Sequence, residues 1–98
     1  MKNQIGKKVI IRADRAGVFF GTLSAKEGNE VQLTNARKIH YWDGAAAVEQ
    51  LSVTGSSKPS NCRITMMVDE LTIMQVIQII PLTKEAIINL ENIAVWKK

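Results

Sequence analysis

Three strand-length stretches, separated by turns too short to hold a helix, open the chain and restrict its fold more than any other feature. Lys8-Val9-Ile10-Ile11-Arg12-Ala13 is rich in β-branched residues and is ended by Asp14-Arg15-Ala16-Gly17, a polar segment whose glycine suits a turn. Val18 to Ser24 follows, with Gly21 inside an otherwise β-favouring run, where a missing side chain predicts a bulge or a close backbone approach in a curved strand. Lys26-Glu27-Gly28-Asn29 supplies a hairpin turn, because Gly28 and Asn29 tolerate positive φ. Glu30-Val31-Gln32-Leu33-Thr34 then alternates polar and apolar, placing Val31 and Leu33 on the core face of an antiparallel meander. Continued extension would carry Asn35, Arg37, Ile39 and Tyr41 along the face of Leu33 and send Arg37 inward, so a bulge, a bend or an oligomer contact is predicted near Asn35.

The remainder mixes helix and strand. Gly44 to Leu51 holds good helix formers after Asp43 as N-cap, which predicts a short middle helix. Ser52 to Asn61, with Gly55, Pro59 and many hydroxyl side chains, is expected to be a mobile loop or a lid. Arg63 to Val68 reads as a strand, Asp69 to Thr72 as its link to a stronger strand, Ile73 to Ile80, and Pro81 as a stop. Thr83 is placed to cap a helix over Lys84 to Glu91 that docks Ile87, Leu90 and Ile88, and Ile93 to Lys98 reads as an edge strand with Trp96 sealing the core. The expected fold class is β-rich α+β: a strongly bent antiparallel sheet of five or six strands, or a small barrel, with a short middle helix and a C-terminal helix.

A chain of 98 residues forms one domain, residues 1–98, since so short a polymer buries only about two-thirds of its unfolded surface. A core this small gains from oligomerisation, so a homo-oligomer is expected. Of the formal charge of +4, all the excess lies in residues 1–43, where Lys2, Lys7, Lys8, Arg12, Arg15, Lys26, Arg37 and Lys38 outweigh Asp14, Glu27, Glu30 and Asp43. An electropositive half attracts nucleotides, phosphates or a nucleic-acid backbone, though the same charges also serve solubility. A single Cys, Cys62, fits a reducing compartment, Met1 to Lys8 lacks the apolar segment of a secretory signal, and no apolar run is long enough to span a bilayer.

Catalytic constellations are lacking. One His and one Cys far apart make no zinc site, Cys62 with His40 has no flanking sequence that would activate a nucleophile, and no phosphate-cradling glycine pattern is present. Asp69 and Glu70 would point to opposite faces if extended and so could flank one substrate bond only within a turn, which makes a solvated connector the favoured reading over an acid–base pair. The chain is therefore expected to be no enzyme, with no catalytic residue, metal or cofactor. What remains is Asn35, Arg37, Lys38, His40, Tyr41 and Trp42, which combine an amide, cations and aromatic planes, the groups that hold phosphates and stack on bases. Arg37 is the leading candidate, its planar fork gripping a phosphate at two points, and Asn35 would read a base edge or a ribose hydroxyl. The competing reading makes Tyr41 and Trp42 core or interface anchors, the cations a solvated surface, and Asn35 a turn amide bonded to its own backbone.

Two resemblances enter at these residues. Ala16-Gly17-Val18-Phe19-Phe20-Gly21-Thr22-Leu23, the Glu27-Gly28 turn, Asn35-Ala36-Arg37 and Tyr41-Trp42-Asp43-Gly44-Ala45 resemble an uncharacterised family of short proteins from tailed-phage genomes, which implies a phage origin and a host-cytoplasm location. The strand, Gly-Thr-Leu segment, hairpin and strand ending near Asn35-Ala36 are similar to the first motif of Sm-like RNA-binding barrels, which assemble into rings. The chain departs from that family over Ile73-Met74-Gln75-Val76-Ile77, which lacks its Arg-Gly signature. The function expected from these features is a non-enzymatic phage accessory protein that binds and sequesters a small anionic nucleotide-type ligand, an anti-defence sponge against host immune signalling. The rivals are an Sm-like nucleic-acid-binding module and an inhibitor that masks a host protein.

Overall fold

A computed structural model describes residues 3–97. Six strands and two helices follow in the order β1 (Lys8–Ala13), β2 (Gly17–Glu27), β3 (Glu30–Tyr41), α1 (Val48–Thr54), β4 (Arg63–Ile64), β5 (Val68–Ile73), β6 (Val76–Pro81) and α2 (Lys84–Glu91). The sheet runs β4-β3-β2-β1-β6, all antiparallel, with β5 added beside β4 along the same edge of β3. Strands β5 and β6 lie at opposite ends of the hydrogen-bonded order and do not pair with each other, so the sheet is bent and open rather than a closed barrel.

The bend comes from the predicted place. Phe20 faces Arg37 but Thr22 faces Thr34, so Asn35 and Ala36 together oppose Gly21 in a bulge. Asn35 takes a left-handed conformation, φ 50°, and a Cβ on Gly21 would sit 3.0 Å from both the Ala36 Cα and the Thr34 carbonyl oxygen. Only glycine permits so close an approach. The extra residue also reverses the alternation along β3. Leu33 and Ala36 face one core while Arg37 and Ile39 face the other, so Arg37 does not continue the face of Leu33.

Both faces of the sheet are consequently buried. Val9, Ile11, Leu23, Val31, Leu33 and Ile73 pack among the strands inside the bend, whereas Ile10, Phe20, Ile39 and Ile64 lie under Val48 and Leu51 of α1 and Leu90 of α2. The β-branched run of β1 fits this arrangement, because Val9, Ile10 and Ile11 are all fully buried although they point to alternate faces.

The C-terminal helix forms over the predicted residues, with the Thr83 hydroxyl accepting from the Ala86 N–H. Ala86 and Leu90 are its buried side chains, and Ile88 is exposed. The middle helix begins at Val48 rather than Gly44 and is capped by Ala47 without a side-chain hydrogen bond. Gly44 is instead a turn at φ 80°, where a Cβ would lie 2.5 Å from the Lys58 backbone nitrogen. Ser52 to Asn61 is no lid. Its first three residues complete α1, Ser56 is buried and exchanges hydrogen bonds with the Asn89 amide at 2.8 and 2.9 Å, and the Ser57 N–H donates to the Gly44 carbonyl at 3.0 Å. Residues 55–58 are irregular, as the polar composition suggests, but Ser52 and Ser56 are buried and their polar groups are bonded within the fold.

The Ile73–Ile80 run is interrupted by a corner at Met74 and Gln75, the latter at φ 57°, and Asp69 to Thr72 is part of β5 rather than a link. The expected Arg63–Val68 strand is broken: Arg63 and Ile64 pair with β3 as β4, Val68 pairs with Ala36 of β3 as the start of β5, and residues 65–67 between them belong to neither strand. The tail adds a parallel bridge between Ile64 and Val95, and Trp96 is half-buried at the surface rather than a seal of the core. Lys98 lies outside the described residues.

Candidate functional site

The bulge at Asn35 decides what Arg37 does. Turned beneath the helices and only 4% exposed, its guanidinium donates from Nε to the Thr65 carbonyl at 2.8 Å, from Nη2 to the Ile64 carbonyl at 3.2 Å and from Nη1 to the Leu90 carbonyl at 3.4 Å. It also lies 5.9 Å from the centre of the Phe20 ring. Leu90 is in the last turn of α2, which carries no basic residue of its own, so Arg37 supplies the cation that a helix C-terminus favours. Burial lowers its pKa from the usual arginine value. These contacts bind β3, the β4 segment and α2 together, and they turn the fork toward protein carbonyls rather than toward an external phosphate.

The other five predicted residues separate. Asn35 is exposed at the bulge and lines a cleft of ≈ 520 Å³ with Lys8, Phe20, Thr22, Met67 and Asn92. Lys38 places its Nζ 5.7 Å over the Phe19 ring, while its backbone pairs with Thr65. Trp42 is half-buried against the helix-covered core. His40 and Tyr41, at the end of β3, remain on the surface, and there the structure brings them to two residues that the sequence had not singled out for binding.

Those two are Arg63 and Trp96. The Ile64–Val95 bridge and the Trp96 N–H, donating to the Ile64 carbonyl at 2.9 Å, lay the tail beside β4. Trp96 then stacks on His40, with ring centres 4.8 Å apart and planes 13° from parallel. The Arg63 guanidinium lies 5.6 Å from the Trp96 ring centre and 5.9 Å from that of Tyr41, within the range of cation–π attraction. The result is a shelf of two aromatic planes, an imidazole and an exposed cation. Beside it opens a cleft of ≈ 410 Å³ lined by Tyr41, Asp43, Ser60, Asn61, Cys62, Arg63 and Trp96.

Asp43 is fixed in the wall of that cleft. Its Oδ1 accepts the Gly44 N–H at 2.8 Å and its Oδ2 accepts the Asn61 Nδ2 at 3.1 Å. The Asn61 amide, then the Gly44 N–H and the positive field of Lys58, hold its carboxyl below the usual carboxylate range. Behind the wall, the Ser56 hydroxyl donates to the Asp43 carbonyl at 2.5 Å and the Cys62 thiol lies 3.3 Å from the Ser56 oxygen. Among the described residues no group of three or more His, Cys, Asp or Glu side chains is arranged to hold a metal, and no helix is long and apolar enough to cross a membrane.

Fold and site together define a small β-rich α+β protein with an open, bent sheet and a cation–aromatic shelf at one end of its longest strand. Residues 6–90 match the family described as "Domain of unknown function (DUF6948)", and the chain belongs to that family. Tyr41, Asp43, Asn61 and Arg63 fall inside the matched segment and Trp96 outside it. Neither a curated protein nor a solved structure matches the chain.

Proposed function

We propose that the protein is a non-enzymatic binding protein for a small anionic nucleotide-type ligand, held at the His40–Tyr41–Arg63–Trp96 shelf. The observation that carries this reading is the position of Arg63, exposed between the rings of Tyr41 and Trp96 at the mouth of a cleft. An arginine in that setting offers a planar surface for a base and a donor fork for a phosphate at one point. The phosphate role anticipated for Arg37 and Lys38 passes to Arg63, and the stacking role passes from Trp42 to Trp96, with Tyr41 retained. Sequestration is the biological form of the proposal: a phage product in the host cytoplasm that removes a nucleotide signal of host immunity by affinity and copy number.

A homo-oligomer belongs to the same proposal. The outer edges of β5 and β6 have no strand partner among the described residues, and Met66, Met67, Met74 and Ile77 are exposed beside them, features that favour association of copies. Native mass spectrometry with a mixture of cyclic and linear nucleotides tests both parts. A defined oligomer that gains one unaltered nucleotide mass per shelf, and loses that gain in Arg63→Ala, supports the reading, while no gain from any nucleotide overturns it. The openness of the cleft together with the net charge of +4 favours a second reading, a nucleic-acid surface. Its affinity would fall steeply with salt, because each neutralised phosphate releases counterions.

A further inference from the structure

The shelf is assembled from two parts of the chain that are held with unequal strength. Tyr41, Asp43, Asn61 and Arg63 line the cleft from the sheet edge and the bonded segment next to it, whereas Trp96 comes from the tail beyond α2. Ile93 anchors that tail: it is buried in the helix-covered core, and its N–H donates to the Leu90 carbonyl at 3.3 Å. Beyond it Ala94, Val95 and Lys97 are exposed, and the one hydrogen bond described for residues 94–97 runs from the Trp96 N–H to the Ile64 carbonyl. His40 and Tyr41 together oppose Arg63 in a bulge at the end of β3, and His40 stacks on Trp96 without itself lining the cleft. The Ile64 carbonyl also accepts from Arg37 Nη2 at 3.2 Å. When the tail lifts, that buried oxygen keeps a donor and the Trp96 N–H passes to water, so no buried polar group is left unpaired. One backbone hydrogen bond and one ring stack are comparable with the ordering cost of the few residues they fix, so the docked and lifted tails lie close in free energy.

We infer that residues 94–97 are a strap that closes over the cleft when ligand binds, with Ile93 as its anchor and His40 as the positioning residue that seats Trp96; this regulation rests on the shelf being the nucleotide site. Closure brings the second ring to Arg63 and completes the cleft, which is built only in part without the tail. A nucleotide that touches Trp96 binds the docked tail better than the lifted one and therefore shifts the population toward closure. By linkage, whatever seats Trp96 beforehand raises affinity, because binding then no longer includes ordering of the strap.

The test is amide hydrogen exchange of the full chain followed by NMR, alone and with a mixture of the four ribonucleoside monophosphates. Alone, the Trp96 amide is expected to exchange at least about a hundredfold faster than those of the fully buried Ile10 and Ile11 in β1, which open with the whole fold. Protection of Trp96 equal to that of β1 overturns the strap. With the nucleotides, Trp96 exchange is expected to slow at least about fivefold, while the Gly6 amide, bonded to the Leu23 carbonyl away from the shelf, is unchanged. Shifted Tyr41 and Arg63 signals with unchanged Trp96 exchange overturn the strap and leave the shelf intact as a nucleotide site. Absence of any shift overturns both. His40→Ala is expected to speed Trp96 exchange and weaken nucleotide binding, each by about fivefold or less, and His40→Phe, which keeps a ring on Trp96, to restore both. Weaker binding in His40→Ala with Trp96 exchange unaltered overturns the positioning role of His40. The exchange comparison uses the unaltered protein, so it decides the strap whatever the variants do.

Discussion

Arg37 and Arg63 sit on adjacent paired strands, and each has an aromatic ring within 6 Å, yet their surroundings give them opposite work. Arg37 is under the helices with three carbonyls on its fork, while Arg63 is in solvent between two rings with no protein acceptor among its described hydrogen-bond partners. A buried guanidinium must spend its donors on the fold, because an unsatisfied one costs far more than a hydrogen bond returns. An exposed one is free for a ligand. Composition and spacing near Arg37 had suggested a ligand, but burial and the supply of nearby carbonyls decide the role.

The largest expected effect breaks the clasp. Arg37→Met removes the donors of three carbonyls and the cation at the end of α2, and is expected to lower unfolding stability by about 3 kcal/mol in chemical denaturation. Arg37→Lys keeps the charge without the fork and should recover less than half of that loss. A loss under about 0.5 kcal/mol in Arg37→Met would mean that the clasp is not structural, and the comparison would fail.

Next in size, Arg63→Ala reverses the readouts. Stability should stay within about 0.5 kcal/mol, as for a surface substitution, while affinity for the nucleotide found by mass spectrometry falls at least about tenfold. An Arg63→Ala protein that loses stability but not affinity would show two structural arginines rather than one of each kind. His40→Ala sharpens the same point more gently. It removes the ring stacked on Trp96 and leaves the guanidinium in place, so a loss of about 1 kcal/mol or less in binding is expected, read by titration calorimetry.

How much of this was legible depended on how local each cause was. The edges of β1, the bend near Asn35 and the Thr83 cap rest on neighbours in sequence, and the pattern carried them. The division of Ile73 to Pro81 did not show, because a β-favouring run broken only by Gln75 and Gln78 reads as one strand, and the left-handed backbone at Gln75 has no glycine or asparagine to mark it. Of the candidate site, His40 and Tyr41 stood out from their mixed setting. Arg63 and Trp96 are separated by two strands and a helix, and the long-range Ile64–Val95 bridge and the Trp96 N–H bond to the Ile64 carbonyl bring them together. Asp43 was visible as a polar residue before a helix pattern, which made an N-cap the simplest reading. The Gly44 turn, required by the close Lys58 and Ser57 backbone, gave its carboxylate to the cleft instead.

The smallest effect concerns that carboxylate and tests whether the cleft wall is built independently of the clasp. The Asn61 amide, the Gly44 N–H and Lys58 all favour the ionised form, so the folded pKa of Asp43 lies below its unfolded value, ordinarily about 3.9. The sign follows: its contribution to stability is fully present above the unfolded pKa and is lost as pH falls through the lower, folded one. A carboxyl NMR titration should place the Asp43 midpoint below about 3.9 and show it rising in Asn61→Ala, whose amide is the largest cause of the shift. The same midpoint should be unchanged in Arg37→Lys, because Arg37 reaches the carbonyls of Ile64, Thr65 and Leu90 and none of the groups around Asp43. A midpoint that moved with Arg37 would mean that clasp and cleft are one coupled unit, and that substitutions in the first cannot be used as structural controls for the second.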